Sequence, residues 1–163
     1  MTIAVVSATG TGRTTLSAFD NALKRAGIYN YNLISLSSIC PVGAKVVKKK
    51  HFIQNKNEFG FRLYVVKADI RSSQSDKVIA AGLGWYMLKK GGGVFVEHSI
   101  EGSTRDVVEE EITFKISASL QDLCEYRGEK FHKQKMHTSI ALCQVGPQPC
   151  CALTLAIYKS EPW

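Results

Sequence analysis

The chain has 163 residues, 45% hydrophobic and 21% charged. That composition fits one soluble domain burying roughly two-thirds of its unfolded surface, and it excludes disorder as the main state. The formal charge of +7 would suit an anionic partner, but apart from Lys48, Lys49 and Lys50 the basic residues are scattered, with no stripe interleaved with aromatics, so no nucleic-acid partner is expected.

The opening MTIAVVSATGTG has no basic n-region and a short apolar stretch, so Ile3 to Ser7 reads as a strand and not a signal peptide, and a cytoplasmic location is expected. A glycine and threonine turn, Ala8 to Arg13, leads into a helix from about Thr14 to Ala26 that Gly27 stops. On it Leu16, Phe19, Leu23 and Ala26 follow the 3.6 period and form the expected buried stripe. Asp20 lies about 40° from Leu16 around the helix, at the margin of that stripe. From spacing alone it could pair with Lys24, four residues on.

Ile28 to Leu36 reads as a strand, ending at Ser37-Ser38-Ile39-Cys40-Pro41, where the proline forces its predecessor out of helical geometry. Ala44 to Val47, Phe59 to Ala68 and Gly93 to Glu97 are further strands, and Val78 to Leu88 fits either strand or helix. Thr104 to Tyr126 is the longest helical pattern, capped by Ser103 or Thr104 and closed at Gly128. Thr138 to Val145 and Cys151 to Tyr158, joined by Gly146-Pro147-Gln148-Pro149, read as a hairpin or neighbouring strands. The longest run without Asp, Glu, Lys or Arg, Met136 to Tyr158, is interrupted by that same turn, so no membrane partner is expected. With no repeat or linker, the elements suggest one α+β layered domain.

The five cysteines form no C-x-x-C pair, and their odd number argues for reduced thiols. His51, His98, His132 and His137 make no ligand spacing with them, so no metal is expected.

Three places could carry chemistry. Gly10-Thr11-Gly12-Arg13-Thr14-Thr15 sits between a strand and a helix, where phosphates bind. It fails the P-loop pattern, having Ser7 and Arg13 where glycine and lysine belong, and Thr15 fails the dinucleotide fingerprint. Ser37-Ser38 is in isolation an ordinary turn, with no G-x-S-x-G to support a triad. Glu97 ends an apolar strand, where burial would raise its pKa and let it donate a proton near neutrality. Glu101 lies four residues on, and Glu97 is preferred because it directly ends the strand.

The run from Thr15 to Pro41, TLSAFDNALKRAGIYNYNLISLSSICP, closely resembles the pyruvoyl-dependent arginine decarboxylase family. It shares that family's L-x-A-F-D helix, its A-G-I, a segment ending N-L-I and a Ser-Ser-Ile-x-Pro processing site. Val94 to Glu97 is similar to the family's strand ending in a catalytic glutamate, and Ile157-Tyr158-Lys159 to its last strand.

The resemblance implies a four-layer αββα sandwich in a single domain, residues 1–163. It also implies self-cleavage between Ser37 and Ser38 into a β chain of 1–37 and an α chain of 38–163. The cofactor would be a covalent pyruvoyl group made from Ser38, which forms a Schiff base with the substrate amine because no side chain is itself a good electron sink. L-arginine would lose CO2 to give agmatine, with Glu97 returning a proton and Asn32 near the pyruvoyl group. Asp20 would hold the guanidinium by paired charge-assisted hydrogen bonds, Leu16 would line the aliphatic stem, and the carbonyls of Tyr29 and Tyr31 would add acceptors. Some relatives carry smaller residues at these two tyrosine positions. The assembly implied is a homotrimer or a dimer of trimers, with sites between neighbouring protomers. The other readings are an unprocessed, inactive binding homologue of the same fold, and a nucleotide-binding domain using Gly10 to Thr15.

Overall fold

A computed structural model describes residues 1–53 and 55–163. Nine strands and two long helices are assigned among them. One sheet has five strands in the order β2 (Asn32–Ser35), β5 (Arg62–Ser72), β9 (Cys150–Glu161), β1 (Thr2–Thr11) and β4 (Lys45–Lys48). The other has four, β3 (Ile39–Cys40), β7 (Gly93–Gly102), β6 (Val78–Met87) and β8 (His137–Gln144). Helix α1 (Thr15–Ala26) covers the five-stranded sheet and α2 (Arg105–Glu125) the four-stranded one.

Three apolar cores define the layers. One lies between the sheets, around Ile3, Val66, Leu83, Trp85 and Phe95. A second joins α1 to β1, β5 and β9, and a third joins α2 to β6 and β7. The architecture is therefore the expected αββα sandwich.

Thr14 caps α1 in a reciprocal pair with Ser17, and Gly27 ends it at φ 86°. The buried face is Ala18, Ala22, Leu23 and Ala26, which corrects the expected stripe. Leu16 is 67% exposed and Phe19 only partly buried. Small residues win because the helix lies almost on the sheet: a Cβ at Gly10 of β1 would fall on the α1 backbone at Ala18 and Ala22. The two glycines of the early turn thus serve helix packing, Gly12 being closed off by Ser17 in the same way.

Helix α2 presents Val108, Ile112, Ile116, Leu120 and Cys124 in a straight i,i+4 row. Gly84 on β6 makes room for it, since a Cβ there would strike Ile116. The 78–88 segment is the central strand β6, buried along nearly its whole length on both faces, and so carries no alternation to read. The expected 28–36 strand shortens to β2, residues 28–31 forming the turn off α1.

Strands β8 and β9 are not a hairpin pair. β8 edges the four-stranded sheet against β6, whereas β9 is the middle of the other sheet between β1 and β5. The intervening turn crosses the sandwich, and Cys143 and Cys150 are disulfide-bonded across it. This corrects the expectation of reduced thiols throughout: the crossing brings the end of one strand against the start of the next, which cysteine counting does not reveal. Cys40, Cys124 and Cys151 are free and buried. No helix of the described residues is long and apolar enough to cross a membrane.

Candidate active site

The chain leaves β2 at the edge of the five-stranded sheet and enters β3 at the edge of the other, so Leu36, Ser37 and Ser38 form a crossing between the two. Ser38 is at φ 65°, one of two non-glycine residues with positive φ among the described residues. For an L-residue the left-handed region costs about 1 kcal/mol or more and persists only when its surroundings impose it.

Three contacts impose it here. The Ser38 hydroxyl donates a hydrogen bond to Glu97 Oε1. The Phe95 backbone N–H donates to the Ser38 carbonyl at 2.8 Å, and Ile39 pairs with Val94. The Tyr158 hydroxyl donates to the Ile39 carbonyl at 3.0 Å.

Glu97 follows Phe95 on the sandwich side of β7, by the two-residue alternation of a strand, while Val94, Val96 and Ile100 face α2. Past the apolar rings it is exposed, and Ser38 meets it there. Beside the junction Met1, Leu36, Pro41, Tyr64, Tyr158 and Lys159 line an apolar hollow of about 400 Å³. Tyr158 is half-buried against Phe95. Burial first, then the negative charge of Cys40 and Glu97 in their ionised forms, pushes its hydroxyl above the ordinary range, so it stays a donor. Nothing in the sequence pattern singles out Tyr158, which ends a long apolar run.

The remaining candidates lie elsewhere in the protomer. Leu16 and Asp20 are exposed on α1, across the five-stranded sheet from Glu97. Among the described residues Asp20 has no salt bridge, so the spacing-based pair with Lys24 does not form. It borders an open hollow with Thr11, Gly12, Arg13 and Ser17. Asn32 starts β2 and spends its amide on the Gly60 carbonyl at 2.6 Å. Tyr31 is turned into the α1 core with its hydroxyl on Glu58 at 2.7 Å, and burial pushes it up to about 12. Tyr29 is 43% exposed and lines a hollow with Lys24, Gly27 and His51. Glu101 is exposed two pairs farther along β7 than Ser99, whose hydroxyl donates to the Asp69 carbonyl, and no hydrogen bond links it to Ser38.

The arrangement defines a class: an αββα sandwich whose strained Ser–Ser crossing offers a hydroxyl to a carboxylate. Comparison with known proteins supplies the family. The profile of "Pyruvoyl-dependent arginine decarboxylase (PvlArgDC)" matches residues 2–161, and the chain belongs to that family. Proteins named pyruvoyl-dependent arginine decarboxylase are similar to it. That of Picrophilus torridus is 32% identical over 121 residues, covering 71% of this chain and 66% of its own length. That of Thermococcus kodakarensis is 39% identical over 94 residues, covering 57% of each. That of Halobacterium salinarum is 28% identical over 160 residues, covering 98% of this chain and 96% of its own. The chain thus spans just under two-thirds and just over half the length of the first two.

Proposed function

We propose that the protein is a self-processing decarboxylase that converts L-arginine to agmatine and CO2. The observation that carries this reading is Ser38, held in left-handed geometry with its hydroxyl on Glu97, at the Ser-Ser-Ile-x-Pro sequence of a chain from this family.

Processing begins when Ser38 Oγ adds to the Ser37 carbonyl carbon. The Ser37–Ser38 amide C–N bond breaks, the hydroxyl proton passes to the Ser38 nitrogen, and an ester replaces the amide. Removal of the Ser38 Cα proton then breaks the Cβ–O bond and frees Ser37 as a carboxylate. Water displaces ammonia from the dehydroalanine left behind, giving the pyruvoyl group. Leaving the left-handed well favours the first step, because the strain at Ser38 ends when its amide bond opens.

The residues present fit that group. The Ser38 carbonyl, which processing does not touch, keeps the Phe95 N–H as partner, and the apolar hollow beside it limits water. Once formed, the pyruvoyl ketone would supply the electron sink that no side chain of the site offers for loss of CO2 from the substrate. Glu97, at the Ser38 side chain, is the group that returns a proton to the substrate carbon.

Asp20 holds the guanidinium, with Leu16 against the aliphatic stem. In one protomer a whole sheet separates them from Ser38, so a neighbouring copy brings its α1 to the junction. An exposed leucine one turn from an exposed carboxylate suits such a contact, and a ring of three copies closes it. A cytoplasmic setting goes with this reading. Release of agmatine and CO2 from arginine by the purified protein, absent in Ser38→Ala, is the test. Full activity in that variant contradicts the proposal.

A further inference from the structure

We propose that Tyr158 is a positioning residue for the self-cleavage, holding the Ser38–Ile39 segment in the geometry from which Ser38 attacks. The inference rests on the self-processing reading above and adds a residue to it. Consecutive carbonyls on the C-terminal side of the scissile bond are each pinned by a donor from a different sheet. Ser38 accepts from the Phe95 N–H of β7 at 2.8 Å, and Ile39 accepts from the Tyr158 hydroxyl of β9 at 3.0 Å.

A backbone held at both carbonyls cannot rotate Ser38 out of its φ of 65° without giving up one bond. The Phe95 donor belongs to the strand ladder and is fixed by it. The Tyr158 donor is a side chain from the opposite sheet, and its hydrogen bond ties the crossing to β9. Its ring is set against Phe95, with centroids 6.3 Å apart, so the hydroxyl has little freedom to leave. Burial keeps it protonated. Tyr158 touches no reacting atom: it acts through the backbone of Ile39.

The test follows cleavage of newly translated full-length chain by mass under denaturing conditions, with and without hydroxylamine, which takes apart the ester as it forms and so reports the first step. Tyr158→Phe keeps the ring and removes only the hydroxyl. It should slow both rates roughly 3- to 10-fold, the weight of one hydrogen bond. Ile79→Val, which loosens the same sandwich core far from the junction, should cleave like the unaltered chain. Tyr158→Met, an adaptable apolar filler, repeats the comparison should the phenylalanine variant fold poorly.

Cleavage of both Tyr158 variants at the unaltered rate overturns the positioning role and leaves self-processing standing. Equal slowing by Ile79→Val overturns it as well, since the effect is then general loosening. An unaltered chain that never cleaves overturns the self-processing reading, and this inference with it.

Discussion

Ser38 and Glu97, 59 residues apart in sequence, meet as hydroxyl donor and carboxylate acceptor where β3 and β7 pair at the edge of the four-stranded sheet. In the proposed reading this contact joins the residue that would supply the cofactor to the residue that would handle the proton, so one substitution can separate processing from turnover.

Glu97→Gln retains an amide oxygen to accept from Ser38 but no transferable proton. The two-chain product should still form, while agmatine production falls about 10²- to 10⁴-fold. Denaturing mass and an agmatine assay on one sample separate the two effects. A normal rate would remove Glu97 from the proton transfer.

Asp20→Asn removes the charge proposed to face the guanidinium. The KM for arginine should rise about 10- to 100-fold, as for loss of a hydrogen bond to a charged group, with cleavage at Ser37–Ser38 unchanged. Since Asp20 and Ser38 belong to different copies in this account, mixed oligomers of Asp20→Asn with Ser38→Ala should regain sites with the unaltered KM for arginine, which neither variant has alone. No recovery would place both halves of the site in one chain.

Gly10→Ala tests the close approach of α1 to β1. The added Cβ falls on the helix backbone at Ala18 and Ala22, so stability should drop by about 1–3 kcal/mol and Tm by several degrees. An unchanged melt would mean that the helix can retreat freely.

His98 lies between β7 and α2 with its Nε2 2.9 Å from the Ser119 hydroxyl. Burial, and then Lys115, depress its pKa below the ordinary 6.5, against an opposing pull from Glu97. Below about pH 6.5 the unfolded chain therefore takes up the proton first, and this contribution to stability is present above that pH and lost as pH falls toward the folded value. His98→Gln should flatten that part of the stability profile in denaturant titrations. An unchanged slope would exclude His98 as its source.

Much of the fold is legible in the sequence because its signals are local. Thr14, Gly27 and Thr104 mark helix ends by their own backbone chemistry. What escapes is set by layers. β6 is buried on both faces and shows no period, and β8 and β9 look like a hairpin until the sandwich assigns them to opposite sheets. Leu16 follows the helical period yet points outward, because Ala18 and Ala22 let α1 settle more closely. At the site, Ser38 alone reads as an ordinary turn residue and Glu97 as a strand-end carboxylate, and the family likeness around Thr15 to Pro41 and at Val94 to Glu97 is what picks them out. Their contact needs the register of β3 on β7, and the part played by Tyr158 needs β9 to reach across from the other sheet.

The central claim is that Ser38 becomes the cofactor. Intact mass of the purified protein under denaturing conditions, with and without a carbonyl-reactive reagent, tests it most directly. The account predicts two chains that divide between Ser37 and Ser38, the larger one gaining the mass of one reagent molecule. A single full-length chain that does not react would contradict it.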